Sequence, residues 1–340
     1  MLATVKRNMK NWVLDTIQSP VKKPVPVLSF PCVQLLGISV RELIANSDFQ
    51  ANGMKAVADR VPSGAAVSLM DLSVEAECFG ATVRVSDDEV PTIVGALLTE
   101  PEEAEALEVP EVGAARSGLY VEAIEKAVKL ITDRPVLAGV IGPFSLAGRL
   151  MDVSEAMILC YDEPEMVHTV LEKATQFLIN YCNAYKAVGA NGVVIAEPLA
   201  GLLSPNQARE FSHPYVKKII EAVQDDNFAV IYHNCGNNVA LMTEDVYTFG
   251  AMGYHFGDAV DMTSMLNGVP EDALVMGNVS PSGQFLGGTP ESMKENTKQI
   301  MEKCCHKKNF VISSGCDIPP MSPWANIDAF FEAAGEFYGA

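Results

Sequence analysis

Short apolar runs rich in β-branched residues alternate along this chain with longer segments in which apolar residues recur at helical spacing. Such alternation is typical of repeated strand–helix units built around a parallel sheet. Eight runs predict strands, at residues 25–30, 66–70, 136–141, 192–196, 228–232, 251–256, 273–276 and 309–313. Because residues capable of chemistry follow nearly every run, we predict an α/β fold that closes into a (β/α)8 TIM barrel. An open doubly wound sheet, which binds its ligand at a switch point, is the alternative.

The segments between these runs predict helices, and the pattern is clearest at residues 163–187, 206–223, 290–305 and 323–337. Ser204, Thr289 and Ser322 each precede a proline, and a capping hydroxyl before proline is typical of a helix start. Residues 1–24 predict an N-terminal helical extension, and the acidic residues 86–117 predict an excursion after the second strand. We predict that residues 1–340 form one barrel domain.

Charge and cysteine content restrict the expected partners. Acidic residues outnumber basic ones 43 to 24, which gives a formal net charge of -19. Such a charge repels phosphate backbones, so we expect neither a nucleic acid nor an anionic membrane as a partner. The sequence lacks an apolar stretch typical of a membrane span or a signal peptide. We therefore expect a cytoplasmic protein whose eight cysteines are reduced thiols or metal ligands, and the oligomeric state is left open.

Potential metal ligands follow the fifth and eighth predicted strands. His233 and Cys235 come directly after the fifth strand and Cys316 follows the eighth, so barrel closure would place them on one rim. We expect Gly236 to let the backbone turn beneath the first pair. One imidazole and two thiols suit zinc, and three protein ligands leave the open fourth position of a catalytic site. The spacing alone also allows a buried histidine beside core cysteines.

The stretch His233-Asn234-Cys235-Gly236, taken with Ser314-Gly315-Cys316, resembles the methylcobamide:coenzyme M methyltransferases of the uroporphyrinogen decarboxylase superfamily. Other stretches look like family sequence in family order, at residues 71–80, 142–145, 203–205, 277–279 and 323–326. The resemblance covers essentially the whole chain. It implies a (β/α)8 barrel, a Zn2+ ion bound by His233, Cys235 and Cys316, and a methylated corrinoid supplied by a partner protein. The methyl acceptor that it implies is a small-molecule thiol such as coenzyme M.

Other functions within the same superfamily remain as alternatives. The porphyrinogen decarboxylases carry an arginine-rich N-terminal signature, whereas residues 29–34 of this chain contain no arginine. A substrate with many carboxylates would lack its cationic clamps, which disfavours decarboxylation. Methyl transfer involving homocysteine or tetrahydrofolate is a second alternative. A non-catalytic module that docks a corrinoid protein is the third.

Six further polar residues follow predicted strands or lie in stretches that resemble the family. We predict that Glu197 accepts the thiol proton or fills the fourth zinc position, with orientation of His233 as the alternative. Arg149 is a cation that a sulfonate would require. The candidates are, for catalysis, Glu197, His255 and Asp258, and, for substrate binding, Glu75, Arg149 and Asn278. For His255 the alternative is a core histidine, and for Glu75 a carboxylate at a helix N-terminus.

Overall fold

The computed structural model describes residues 6–339 as an α/β fold around a parallel sheet. The strands are β1 (Ala66–Val67), β2 (Thr82–Arg84), β3 (Thr92–Val94), β4 (Val136–Ile141), β5 (Gly192–Ala196), β6 (Ala229–Asn234), β7 (Gly253–Phe256), β8 (Leu274–Val279) and β9 (Phe310–Ser314). Seven of them pair in parallel in the order β1-β4-β5-β6-β7-β8-β9. Seven of the predicted strands therefore form, although β1 has only two residues.

Helices connect the strands and surround the sheet. Their bounds are α1 (Met9–Gln18), α2 (Cys32–Leu36), α3 (Val40–Ile44), α4 (Ser47–Arg60), α5 (Val74–Cys78), α6 (Pro101–Ala106), α7 (Ser117–Leu130), α8 (Pro143–Met151), α9 (Val153–Asp162), α10 (Pro164–Ala187), α11 (Pro205–Phe211), α12 (His213–Val223), α13 (Thr243–Val246), α14 (Met262–Met265), α15 (Pro290–Cys304) and α16 (Trp324–Tyr338). Helix α1 lies in the predicted extension, and residues 1–5 are outside the described part of the chain.

The first predicted strand, residues 25–30, does not form a regular strand. Pro24 and Pro26 have no backbone N–H and cannot donate to a ladder. The segment nevertheless lies beside β9, where the Val25 N–H donates to Ile312 O at 3.2 Å. Side-chain hydroxyls replace the missing ladder bonds: Ser313 donates to Val25 O at 2.8 Å, and Ser314 accepts from the Val27 N–H at 3.0 Å. The ordered sheet therefore has seven strands rather than the predicted eight.

The sheet curls around a buried apolar cluster. Val67, Leu137, Val194 and Val311, from strands across the whole sheet, belong to this one cluster together with Met9 and Val13 of α1. The backbone N–H of Met9 donates to Asp226 O at 2.6 Å, just before β6 begins. Helix α1 therefore covers the amino-terminal end of the strands, and the carboxyl end is free for a site.

Two helix predictions need correction. Residues 206–223 form α11 and α12 rather than one helix, because Pro214 lacks the N–H that a continuous helix requires. Ser204 and Thr289 cap their helices as predicted. Ser322 does not cap α16, which begins after Pro323 without a side-chain cap. Among residues 6–339, each helix is too short or too polar to span a membrane.

The predicted excursion after the second strand contains a small antiparallel hairpin. Strands β2 and β3 pair with each other and not with the main sheet, and α6 follows them. The hairpin lies after β1, on the carboxyl side of the sheet. It therefore contributes to the surface around the site described below.

Candidate metal centre

The sheet brings the three predicted metal ligands together at its carboxyl edge. His233 is the next-to-last residue of β6, Cys235 directly follows that strand, and Cys316 follows β9. Their ligand atoms all lie within 4.8 Å of one another. Among residues 6–339, this is the one group of three histidine, cysteine or carboxylate side chains close enough to share a metal ion. The curl of the sheet is responsible, since β7 and β8 separate β6 from β9 in the strand order.

Two of the three separations between these atoms fit a tetrahedral zinc ion. Cys316 Sγ lies 3.9 Å from Cys235 Sγ and 3.4 Å from His233 Nε2. Zinc bonds of about 2.3 Å to sulfur and about 2.0 Å to nitrogen require a sulfur–sulfur separation of about 3.8 Å and a sulfur–nitrogen separation of about 3.5 Å at a tetrahedral centre. The donor set and its spacing therefore suit zinc with little movement of the side chains.

The two sulfurs influence each other directly. The Cys316 thiol donates to Cys235 Sγ, and this hydrogen bond lowers the pKa of Cys235 because it stabilises the thiolate. The same contact, together with burial, raises the pKa of Cys316 to about 12. A bound cation would take the place of the proton between the two sulfurs.

Close backbone approach at glycines fixes the position of Cys235. A Cβ on Gly236 would lie 2.4 Å from the Cα of Gly201, and a Cβ on Gly257 would lie 2.5 Å from the Cβ of Cys235. Gly236 has a φ of -79°, which any residue adopts, so the prediction that it permits a special turn is wrong. Glycine is required there for space. Gly201 and Gly257 are not among the predicted site residues, because their partners are distant in sequence.

Glu197 is turned toward the amino-terminal end of α8. Its carboxylate accepts hydrogen bonds from the backbone N–H of Ser145 at 2.7 Å, from the Ser145 hydroxyl at 2.9 Å and from the Phe144 N–H at 3.2 Å. Burial raises the pKa of Glu197 to about 8. These donors at a helix N-terminus favour the anionic form, and the helix dipole adds to that preference. In the described chain, Glu197 therefore supports α8 and makes no side-chain hydrogen bond to His233, while its predicted proton role stays a prediction.

His255, Asp258 and Asn278 surround the ligand set. His255 pairs with His233 across β6 and β7, is 2% exposed, and lies with its ring against the imidazole of His233. Burial lowers the pKa of His255 well below its usual range. Asp258 is exposed in the loop after β7, and its backbone packs against Gly315. The amide of Asn278 donates to Gly257 O at 2.9 Å and to Val260 O at 2.8 Å, so it braces the loop that carries Asp258.

A cavity of about 560 Å³ opens at Asp317, the residue that follows Cys316. Its volume suits a small molecule. Arg149 of α8 contributes a cation, and its Nε is buried without a hydrogen-bond partner among the described residues. Asp317, which is not among the predicted site residues, is the link between the cavity and Cys316. The lining is Met70, Leu72, Asp88, Glu89, Val90, Pro91, Thr92, Arg149, Leu286, Asp317, Pro319, Pro320 and Met321.

Glu75 is buried in the first turn of α5, near these groups but outside the cavity lining. One carboxylate oxygen accepts from the Ile141 N–H at 2.9 Å, and the other has no partner in the described chain. Burial raises the pKa of Glu75 to about 7. The neighbouring Glu77 is different, because Arg116 pairs with it at 2.6 Å. Glu75 is therefore a buried carboxyl group without a paired cation.

Glu75→Gln is expected to raise the melting temperature much more at pH 8 than at pH 5. With a raised pKa, the folded protein retains a proton that the unfolded chain releases. The stability that Glu75 contributes is therefore complete below the pKa of an unfolded glutamate and is lost as the pH rises through about 7. The amide avoids this loss, which amounts to up to about 3 kcal/mol at pH 8. Thermal unfolding at both pH values measures the effect, with Glu77→Gln as the control that should not stabilise at either. Equal shifts at pH 5 and pH 8 would contradict the prediction.

Comparison with known proteins agrees with the resemblance seen in the strand-end motifs. Residues 27–337 match the family model of uroporphyrinogen decarboxylase (URO-D). A methylcobamide:CoM methyltransferase of Methanosarcina acetivorans is 28% identical over 271 residues, which is 78% of each chain. A uroporphyrinogen decarboxylase of Coxiella burnetii is 27% identical over 293 residues, 82% of this chain and 78% of the relative. Sequence identity alone therefore does not separate the two activities.

Solved structures extend the comparison to the fold. A methyltransferase from Methanosarcina mazei superposes with a TM-score of 0.86 at 25% identity, over 98% of this chain and 99% of its own. A B12-independent methionine synthase from Shewanella superposes with a TM-score of 0.59 at 13% identity, over 94% and 96% of the two chains, and indicates a related fold only. The predicted superfamily resemblance is confirmed by the family match and by these relatives.

Proposed function

This chain belongs to the uroporphyrinogen decarboxylase family, and from that premise we propose that it is a zinc-dependent methyltransferase that moves a methyl group from a corrinoid on a partner protein to a small thiol. The comparisons support a methyltransferase, since several relatives and a full-length structural neighbour carry that activity in their names. The observation that carries the zinc part of the proposal is the tetrahedral spacing of His233, Cys235 and Cys316.

Some residues of the site would bind the metal or the substrate, and others would position those residues. His233, Cys235 and Cys316 would hold the metal and leave a fourth position for the substrate sulfur. When bound, zinc lowers the pKa of an entering thiol so that the thiol is nucleophilic at neutral pH. Glu197 holds the N-terminus of α8 and thereby places Arg149 over the cavity. Methyl transfer would form a thioether bond at the substrate sulfur and break the bond between the methyl group and the corrinoid of the partner protein, which would keep that electron pair.

The cavity at Asp317 favours a small thiol with an anionic end. Arg149 stays charged even where burial lowers its pKa, and an unpartnered guanidinium N–H is available to a ligand. Met70, Leu72 and Pro319 form apolar walls that suit a short alkyl chain. Coenzyme M, which the names of the methyltransferase relatives include, combines a thiol with a sulfonate and fits this chemistry.

A macromolecular methyl donor is supported by the surface around the site. Leu202, Leu241, Leu286 and Met321 are between 42% and 69% exposed. They lie in segments that follow β5, β6, β8 and β9, on the same edge of the sheet as the metal ligands. Large exposed apolar side chains on one face are typical of a protein contact surface. We assign this surface to the corrinoid protein.

The closed eight-strand barrel remains part of the proposal. Its support is the segment after α1, which is hydrogen bonded to β9 through Val25 and Val27 and to Gly64, just before β1, through Pro24 O. A segment that contacts both edges of the seven-strand sheet occupies the place of a closing strand.

Decarboxylation of a porphyrinogen is the competing function. The cavity lining includes the acidic residues Asp88 and Glu89 and one cation, Arg149. Burial raises the pKa of the third acidic residue, Asp317, well above its usual range. One cation can pair with the single anionic end of a small thiol, whereas a substrate with many carboxylates would require several cations. The electrostatics of the site therefore favour the small thiol.

The proposed function is tested with methylcobalamin as the free methyl donor. Purified protein is incubated with methylcobalamin and coenzyme M, homocysteine or 2-mercaptoethanol, and thioether formation is followed together with zinc content. We expect about one zinc per chain, thioether formation, loss of both after chelation, and recovery when zinc is restored. Chelator-insensitive release of CO2 from uroporphyrinogen would instead identify a decarboxylase. Tightly bound zinc without thiol binding or proton release in calorimetry would identify a docking module.

Arg149→Met is expected to raise the KM for coenzyme M by at least about 10-fold, the effect of losing one charge-assisted hydrogen bond. Methionine keeps the apolar stem of the side chain but removes the charge. The KM for 2-mercaptoethanol, which has no anionic end, should be unchanged, and this thiol is the internal control. An equal increase for both thiols would show that Arg149 shapes the cavity without binding the anion.

A further inference from the structure

The imidazole of His233 is connected to the backbone of the proline-containing segment by a chain of buried side chains. His233 Nδ1 lies 2.7 Å from His255 Nδ1, and His255 Nε2 lies 2.7 Å from Ser313 Oγ. The Ser313 hydroxyl lies 2.8 Å from Val25 O. His233, His255 and Ser313 are each 2% exposed or less, so water does not compete for these contacts.

The direction of each hydrogen bond in this series of side chains follows from the final acceptor, the carbonyl oxygen of Val25. A backbone carbonyl only accepts, so Ser313 donates to Val25 O. With its proton used, Ser313 Oγ accepts from the Nε2–H of His255. His255 is buried and neutral, so its Nδ1 has no proton and accepts from the Nδ1–H of His233. The backbone carbonyl of His255, 3.2 Å from His233 Nδ1, requires a donor at the same atom.

The opposite direction is not compatible with these contacts. If His255 donated from Nδ1, its Nε2 would accept the Ser313 proton, and Ser313 Oγ would then face Val25 O with two lone pairs at 2.8 Å. The carbonyl of His255 would likewise face an unprotonated His233 Nδ1. Both contacts would be repulsive in a buried site.

From this geometry we propose that Ser313 and His255 are positioning residues that fix His233 in the Nδ1–H tautomer, so that the Nε2 lone pair faces the two sulfurs before any metal arrives. The metal part of this inference rests on the proposed zinc site. His233 Nε2 is the atom 3.4 Å from Cys316 Sγ. Residues that orient a ligand histidine in this manner typically change metal affinity by about 10- to 100-fold. His255, a predicted catalytic residue, therefore acts through His233.

The Ser313 hydroxyl also links the candidate metal site to the proline-containing segment that packs against β9. The segment around Val25 lacks ladder donors at Pro24 and Pro26, and the Ser313 hydroxyl supplies one of the bonds that hold it against β9. The same hydroxyl sets the proton position on His255. Ser313 thus contributes both to the packing of this segment against β9 and to the preparation of the metal ligand.

The test is the tautomeric state of His233 in the metal-free protein, measured by long-range proton–nitrogen NMR of a sample labelled with nitrogen-15 at histidine. We expect a protonated Nδ1 and an unprotonated Nε2 in the unmodified chain. A protonated Nε2 on His233 would overturn the proposal, and this measurement needs no substitution. It also stands apart from the proposed function, because a chain with the expected tautomer that binds no zinc would refute only the zinc site.

Substitutions of Ser313 and Ser314 distinguish the positioning of His233 from the packing of the segment around Val25. Ser313→Ala should give His233 a mixture of tautomers and weaken zinc binding, measured by competition with a chelator, by about 10-fold or more. Ser313→Thr retains the hydroxyl and should restore both properties. Ser314→Ala is the matched control, because the Ser314 hydroxyl binds the Val27 N–H of the same segment at 3.0 Å, whereas only the backbone of Ser314, which the substitution retains, is hydrogen bonded to His255. Equal losses of zinc affinity in Ser313→Ala and Ser314→Ala, with an unchanged tautomer, would overturn the proposal.

Discussion

Cys316→Ala is expected to lower zinc content to a small fraction of one per chain and to reduce methyl transfer to a thiol by more than about 100-fold, because groups that only orient a metal ligand already account for about 10- to 100-fold. Cys316 is the one ligand supplied from β9, and its sulfur faces both Cys235 and His233. Without it, two ligands from one strand end would remain. Catalytic zinc sites have three protein ligands, so the two that remain would not form such a site.

Metal analysis and the methylcobalamin assay together test this result. Cys305→Ala is the control, since Cys305 is also half-buried, lies beside another cysteine and a histidine in the sequence, and contacts Tyr338 instead of the candidate site. That variant should retain zinc and activity. Full zinc occupancy with undiminished turnover in Cys316→Ala would refute the ligand assignment.

Gly236→Ala is expected to lower the free energy of unfolding by about 1–3 kcal/mol, as overpacking of a tight interior does, and to impair zinc binding. The new Cβ would lie 2.4 Å from the Cα of Gly201 and 2.7 Å from its carbonyl oxygen. Both are backbone atoms, so the strain has to be relieved by movement of the loop that carries Cys235. Displacement of that sulfur would disturb the tetrahedral spacing with Cys316 and His233.

Gly253→Ala provides the matched control for this substitution. Gly253 is also buried in the sheet, at the start of β7, but its added Cβ would meet the flexible end of Met276 at 3.1 Å. We expect Gly253→Ala to retain zinc. Chemical denaturation gives the change in stability, and chelator competition gives the change in affinity. A Gly236→Ala protein with the zinc affinity of the unmodified chain would show that the contact with Gly201 does not position Cys235.

Most of the sheet was predictable because buried parallel strands have a distinctive composition. The runs that became β4, β5 and β6 are buried along their whole length and rich in β-branched or apolar residues. The run at residues 25–30 has the same composition, but Pro24 just before it and Pro26 within it remove donors that a strand needs. Likewise, the helical period across residues 206–223 conceals the break at Pro214. Hydrophobic pattern indicates burial, whereas proline decides the hydrogen bonding.

The candidate site was only partly predictable for a different reason. His233, Cys235 and Cys316 each follow a predicted strand, so their meeting at one edge could be expected from a curled sheet. Ser313 and Gly201 gave no such indication. Their significance depends on contacts across 288 residues to Val25 in the first case and on a backbone distance to Gly236 in the second.

The sequence by itself determined the alternation of strands and helices, the acidic character of the chain and the three metal-type ligands, because these depend on the identity and spacing of nearby residues. Only the tertiary structure decided that Gly236 is needed for space and not for a turn, that Glu197 supports α8, and that His255 lies behind His233. Each of these depends on distances between elements that are far apart along the chain, and such distances are fixed only when the sheet curls and its side chains pack.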